Sequence, residues 1–171
     1  SIPLIWQNLL EYQKYRILVF LNPDLDILGK GYQIMQSKIA IGSGGILGKG
    51  FLTGSQSRLD FLPEKHTDFV FTLISEEMGF VGSLSVLMLY FFINVILIRE
   101  FLKEDNFTNK ILIFGVSFLI FLYVVFNIGM VSGLIPVVGA PLPFISNGGT
   151  SLITIFIGLG IIQSIRVSRN V

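Results

Sequence analysis

Cysteine is absent from the 171 residues, and histidine occurs once, as His66. Without thiols the chain can form neither disulfides nor thiolate metal sites. Charge is also scarce: 13% of residues are Asp, Glu, Lys or Arg, against about 25% in an average soluble domain. The formal net charge is only +1, which excludes the basic footprint of a nucleic-acid-binding protein. No nucleic acid is therefore expected among its partners. No internal repeat, low-complexity tract or linker is present. What the chain has in excess is apolar surface. Hydrophobic residues make up 52% of it and the mean hydropathy is +0.76. That is too much for a water-facing exterior, so membrane lipids must solvate part of the molecule. The aromatic residues are mostly Phe, which suits lipid-facing helices and interfaces.

Spanning a bilayer takes about 20 mostly apolar residues in a helix. Three segments qualify: residues 69–98, whose uncharged part runs from Met78 to Ile98; residues 111–131, with no charge at all; and residues 149–165, where Gly148, Gly149 and Thr150 extend a short apolar run. Residues 1–68 are expected to hold the end of a preceding transmembrane helix and a large loop. The opening Ser1-Ile2-Pro3-Leu4-Ile5-Trp6 has neither a basic stretch nor a small-residue cleavage site, so it does not read as a secretory leader.

Basic residues set the expected orientation, because Lys and Arg near helix ends favour the cytoplasm. Arg99, Lys103 and Lys110 fall between the first two spans, and Arg166 and Arg169 follow the third; residues 132–150 contain no Lys or Arg. The loop 99–110 and the C-terminus are thus expected in the cytoplasm, and residues 1–68 and 132–150 outside it. Arg58 and Lys65, which flank the first span, pull weakly the other way. Within the large loop, Leu9 to Phe20 mixes apolar and basic residues, and Tyr32, Met35 and Ile39 recur at helical spacing until Gly42-Ser43-Gly44-Gly45 stops the pattern. Such short stripes need lipid or another helix to cover them, and they read as interfacial or half-inserted helices. The expected fold is all-α: a fragment of a polytopic helical membrane protein with three transmembrane helices and a large extracytoplasmic loop containing short interfacial helices.

Few residues carry chemistry. The Gly-rich run ending in Gly48-Lys49-Gly50 is not a phosphate loop, since Ser43 stands where its first Gly belongs and Gly50 follows the Lys, leaving no hydroxyl for Mg²⁺. The cluster Asp60 to Asp68 sets three carboxylates, Lys65 and His66 against the start of a membrane helix. Alone, it reads more readily as a solvated helix end. The following helix adds a pattern. At ~100° per residue, Asp68, Thr72, Ser75, Glu76, Gly79 and Ser83 fall on one side; Phe69, Leu73, Phe80, Leu84 and Leu87 fall opposite, with Glu77 as the exception. A polar stripe running from a carboxylate into a membrane helix marks an internal cavity or an interface, or carboxylates paired with Lys or Arg elsewhere. Residues 132–150 are uncharged and stiffened by Pro136, Pro141 and Pro143, which suits a rigid wall for a lipid tail, a helix partner or plain packing.

Several stretches resemble one known family: Gln36-Ser37-Lys38-Ile39-Ala40-Ile41-Gly42-Ser43-Gly44-Gly45, Gly48-Lys49-Gly50, Gly54-Ser55-Gln56, Phe61-Leu62-Pro63-Glu64-Lys65-His66-Thr67-Asp68-Phe69, and Asn127-Ile128-Gly129-Met130-Val131-Ser132-Gly133-Leu134-Ile135-Pro136-Val137-Val138-Gly139. Together they are similar to the shape, elongation, division and sporulation family of peptidoglycan glycosyltransferases, nearer its RodA branch than its FtsW branch, over nearly the whole chain. Asn147 departs from the Ser-Tyr-Gly-Gly run usual there. The resemblance implies a ten-helix inner-membrane protein that polymerises lipid II, with the Asp of the His-Thr-Asp run, Asp68, essential. It also implies a class B penicillin-binding protein and other elongation-complex membrane proteins as partners.

Lipid II keeps its tail in the bilayer and its disaccharide at the outer surface, where Asp68 is expected. Asp68 is therefore the candidate catalytic base, or a metal ligand for a divalent cation such as Mg or Mn. Lys49, Arg58, Glu64, Lys65, His66 and Glu76 are the candidate substrate-binding residues. Three other readings stay open: a lipid II flippase, a non-catalytic scaffold or activator of a penicillin-binding protein, and an ion-coupled transporter. The last wants a broken helix with ionisable groups at mid-membrane, whereas here the carboxylates gather at one helix end.

Overall fold

The computed structural model describes residues 7–26, 29–54 and 67–169. The described residues are helical, with no strand among them. Helix α1, Glu11–Leu21, leads through a 3₁₀ turn at Pro23–Asp26 into α2, Lys30–Gly44; the long helices are α3, Val70–Lys103, α4, Phe107–Val131, and α5, Gly149–Arg169. These three are long and apolar enough to cross a membrane. They begin and end close to the expected spans, although α3 runs five residues further and α5 four.

Local chemistry sets the helix ends. At the start of α1, Gln13 Oε1 accepts from the Leu10 amide at 3.0 Å. Asp26 Oδ2 accepts from the Lys30 amide at 2.7 Å, satisfying a donor that the first turn of α2 leaves unpaired. Asn106 caps α4 by accepting from the Thr108 and Asn109 amides. Gly133, at φ +68°, ends α4 in the left-handed region, and the Leu134 amide turns back to the Gly129 carbonyl at 2.8 Å.

In lipid, helices gain little from hydrophobic exclusion and depend on close packing and interhelical hydrogen bonds. The bundle follows this rule. Helix α4 buries Ile113, Ser117, Ile120, Val124 and Asn127 at helical spacing. Ser117 donates to Asn94 Oδ1 on α3 at 3.0 Å. Gly158 of α5 sits against Val116, where a Cβ would approach Cγ2 to 2.9 Å. The outward side of α4 carries Phe114, Phe118 and Phe121 in a stacked ladder with centroids 5.7 and 6.4 Å apart. The Tyr90 hydroxyl donates to the Pro143 carbonyl, pinning the proline-stiffened loop to α3.

Helix α2 leaves the expected stripe outside the packed core. Met35 and Ile39 are 44% and 51% exposed, and the buried side holds Gln33 and Ile34 beside the small residues Gly31, Ser37, Ala40 and Gly44. Small residues let α2 press against α3 and α4. Ser37 donates to the Val131 carbonyl at 2.7 Å, so its single hydroxyl hydrogen is used. Thr72 is then the donor in the 2.6 Å contact between the two hydroxyls.

The largest departure lies inside α3, which is not one continuous helix. Gly79 takes φ +65°, ψ −159°, and the loop after α2 plugs the gap. The Phe80 and Val81 amides donate to the Gly45 and Ile46 carbonyls, while the Lys49 and Gly50 amides donate to the Glu76 and Glu77 carbonyls, all at 2.9–3.1 Å. The break therefore leaves these backbone groups paired, as a membrane interior demands. It also draws the halves together: Ser75 and Ser83 share a hydrogen bond at 2.8 Å, although eight residues of unbroken helix rise about 12 Å.

Candidate active site

Asp68 sits in the turn Thr67–Phe69 that feeds α3, half-buried, with Phe69 behind it fully buried. Its main chain is held from two other elements. Asn127, near the end of α4, donates to the Asp68 carbonyl at 2.9 Å and to the Ala140 carbonyl at 2.7 Å. Ser146, in the loop before α5, donates to the Thr67 carbonyl at 2.5 Å and accepts from the Leu142 amide at 2.8 Å. The carboxylate lies beside Gly139, where a Cβ would stand 3.2 Å from Asp68 Oδ2. The proline-rich loop thus forms one wall of the Asp68 site, with Val137 and Leu142 as its buried anchors.

Deeper along α3, Glu76 is 1% exposed and its Oε1 accepts from Lys49 Nζ at 2.8 Å. The sequence leaves open a partner for Glu76 outside this chain; the structure supplies one within it. Glu76 lies eight residues past Asp68, roughly 12 Å along the helix. Lys49 and Glu76 therefore meet each other at the break rather than joining Asp68. Arg58, Glu64, Lys65 and His66 lie outside the described residues.

The polar stripe proves to be an interface. Thr72 meets Ser37 of α2, Glu76 meets Lys49, and Gly79 meets Gly48. Beside the break is an open groove of about 400 Å³ whose polar groups are Ser75 and Ser83 and whose walls include Phe71, Leu84, Leu87 and Ile128. The opposite side is less uniform than the wheel suggests, since Phe69 and Glu77 are both buried.

No group of three His, Cys, Asp or Glu side chains surrounds Asp68 among the described residues. Among the described residues, a divalent cation there would therefore have at most two such side chains. That is compatible with Mg²⁺, which often takes one or two carboxylates and completes its shell with water and phosphate oxygens.

The model of the FtsW/RodA/SpoVE cell cycle proteins matches residues 1–171. The chain belongs to the FtsW/RodA/SpoVE family. It is 48% identical over 174 residues to the peptidoglycan glycosyltransferase MrdB of Escherichia coli K12, covering 99% of this chain and 46% of that protein. It is 44% identical over 160 residues to the peptidoglycan glycosyltransferase RodA of Treponema pallidum, covering 92% and 36%. A solved chain from a peptidoglycan synthase complex superposes with a TM-score of 0.71 at 36% identity, covering 95% of this chain and 44% of that one. The chain thus spans less than half the length of each of these relatives, and, with its three apolar helices, it is part of a membrane protein.

Two groups around Asp68 went unassigned on sequence alone: Asn127 and Ser146. Asn127 carries a readable signal, as the only amide side chain in the uncharged segment 111–131. A lone amide in an apolar span has to find a partner. Ser146 carries no such signal, because its value depends on how the loop folds back over Thr67.

Proposed function

We propose that this family member is part of a peptidoglycan glycosyltransferase that polymerises lipid II during cell elongation and shape maintenance, with Asp68 in its catalytic machinery. The observation that carries the reading is the mounting of Asp68: a half-buried carboxylate at one end of the bundle, its backbone fixed by Asn127 and Ser146. The names of the relatives support the same activity.

In the proposed reaction, the 4-hydroxyl oxygen of the acceptor sugar attacks the anomeric carbon of the donor. The bond from that carbon to pyrophosphate breaks, its electron pair leaving with undecaprenyl pyrophosphate, and the hydroxyl proton passes to Asp68. A positioned base of this kind contributes about 10²–10⁴-fold. Attack opposite the leaving group inverts an α-linked donor to a β-linked product. In its alternative role Asp68 would hold a divalent cation, Mg or Mn, and the chemistry such an ion would supply is neutralisation of charge on the leaving group.

The proposed topology places residues 1–68 and 132–150 outside the cytoplasm and the C-terminus within it. The ion pair between Arg169 and Glu100 supports it, because it gathers Arg99, Lys103 and Arg166 at one end of the bundle. The proposed partners are a class B penicillin-binding protein and other elongation-complex membrane proteins, in keeping with the synthase complex that the fold matches. The transporter reading regains its broken helix but loses the free groups it needs, since loop 45–50 occupies the exposed backbone at the break and Lys49 engages Glu76.

The test compares lipid II polymerisation by the full-length protein with its penicillin-binding partner, wild type against Asp68→Asn, with lipid II binding as the folding control. Loss of glycan chains with binding retained supports the polymerase reading. Equal chain formation assigns Asp68 a structural role and moves the flippase and scaffold readings forward.

A further inference from the structure

The geometry points to Asn127 as a positioning residue for Asp68, acting through the peptide backbone; this inference rests on the proposed catalytic role of Asp68. Asn127 is fully buried, and its one amide nitrogen serves two carbonyls, those of Asp68 and Ala140. These are the two sides of the carboxylate's surroundings. The first belongs to the residue that bears the carboxylate. The second belongs to the residue after Gly139, against which Asp68 Oδ2 rests. One side chain therefore fixes the distance between the carboxylate and its wall.

The orientation of the amide is determined by chemistry. Exchanging nitrogen and oxygen would set an acceptor against two carbonyl oxygens. In the observed orientation Asn127 Oδ1 is buried with no hydrogen-bond partner, a costly arrangement for a group that serves only to pack helices. An apolar residue at 127 would remove that orphaned acceptor, and in doing so would release both carbonyls. Asn127 thus sacrifices its own acceptor to hold two main-chain groups beside the candidate base. Ser146, bonded to the Thr67 carbonyl, holds the same turn from a third element, so loss of Asn127 should shift Asp68 without unfolding it.

The experiment uses the full-length protein with its penicillin-binding partner and measures kcat and KM for lipid II, lipid II binding and thermal unfolding for wild type, Asn127→Leu, Asn127→Asp and Asp68→Asn. For Asn127→Leu the expected result is kcat lowered roughly 10- to 100-fold, the cost of a misplaced reacting group, with KM within about threefold and binding retained. Wild-type kcat in Asn127→Leu overturns the inference, as does a loss shared equally by kcat, KM and binding. Should Asn127→Leu not fold, Asn127→Asp decides. A buried Asp favours its protonated form, which donates to one carbonyl, whereas its ionised form donates to neither. Neither form of Asn127→Asp can hold both carbonyls, so its kcat should lie below wild type with binding retained, and a wild-type kcat overturns the inference. The two readings fail separately: an active Asp68→Asn removes the catalytic assignment and this inference with it, whereas an inactive Asp68→Asn beside a fully active Asn127→Leu removes only the positioning role.

Discussion

Gly48 and Gly79 meet backbone to backbone: a Cβ on Gly79 would lie 2.3 Å from the Gly48 nitrogen, and one on Gly48 would lie 2.1 Å from the Glu77 carbonyl oxygen. No side chain fits at either position, and Gly79 also has a positive φ, which costs another residue about 1–3 kcal/mol. Gly79→Ala and Gly48→Ala should each sharply lower the melting temperature of the full-length protein in detergent. Gly42→Ala is the control from the same Gly-rich run. Its Cβ would meet nothing within 4 Å, and in a helix Ala gains up to about 1 kcal/mol over Gly. Equal melting temperatures for all three variants would mean that the break in α3 is not held by this contact.

Lys49 and Glu76 test whether the plug is also fixed electrostatically. Glu76 is 1% exposed and Lys49 reaches it at 2.8 Å. Glu76 is the buried member and Lys49 is 30% exposed, so loss of the Lys charge weighs on the buried carboxylate, with about 3–5 kcal/mol, the cost for a fully buried pair, as the ceiling. Lys49→Met should therefore destabilise more than Glu76→Gln, which leaves a neutral group at the site. The double variant should recover part of the loss. Strict additivity in that double-mutant cycle would show that the two side chains do not interact in solution.

At the other end of the bundle, Arg169 joins α5 to α3. Its guanidinium bonds Glu100 at 2.7 Å and faces Glu104 at 3.7 Å, and Glu104 in turn accepts from Asn109 at 3.0 Å. Lys cannot reproduce the planar fork that addresses two carboxylates, so Arg169→Lys should behave more like Arg169→Met than like wild type. Both should expose the 104–106 connection to limited proteolysis at lower temperature. Wild-type resistance in Arg169→Met would reduce this cluster to a surface ion pair of negligible worth.

The sequence shows the spans because hydropathy over some 20 residues is a summed signal that no single residue can spoil. Asp68 is singled out as a candidate by the polar stripe that it heads and by the family resemblance of the His-Thr-Asp run, since its charged cluster alone reads as a solvated helix end. The break at Gly79 is hidden for a physical reason: Met78-Gly79-Phe80 opens the long apolar run to Ile98, and one Gly in a helix is ordinarily tolerated. What opens the helix is loop 45–50, about thirty residues of chain away, supplying donors and acceptors to both halves. The buried side of α2 is hidden in the same way. Periodicity singles out Met35 and Ile39, whereas packing in lipid selects Ser37, Ala40 and Gly44. Lys49 and Glu76 are both legible as candidate residues, but only the fold pairs them.

The orientation is directly testable with one introduced thiol, since these 171 residues contain no cysteine and any elsewhere in the full-length protein can first be replaced by Ser. Asp105, between α3 and α4, is exposed, and Val138, in the loop before α5, is 48% exposed. Arg99, Lys103, Lys110, Arg166 and Arg169 belong to the Asp105 end, and residues 132–150 contribute no Lys or Arg, so the basic bias puts Asp105 in the cytoplasm. A membrane-impermeant maleimide should label Val138→Cys in intact cells and label Asp105→Cys only after the membrane is opened. Val138 is one residue from Gly139, which borders the Asp68 carboxylate, so this label also reports the side on which the candidate base lies. The reverse pattern would put Asp68 on the face away from the disaccharide of externalised lipid II. A carboxylate there cannot reach the acceptor hydroxyl, and the proposed polymerisation at Asp68 would fall with the topology.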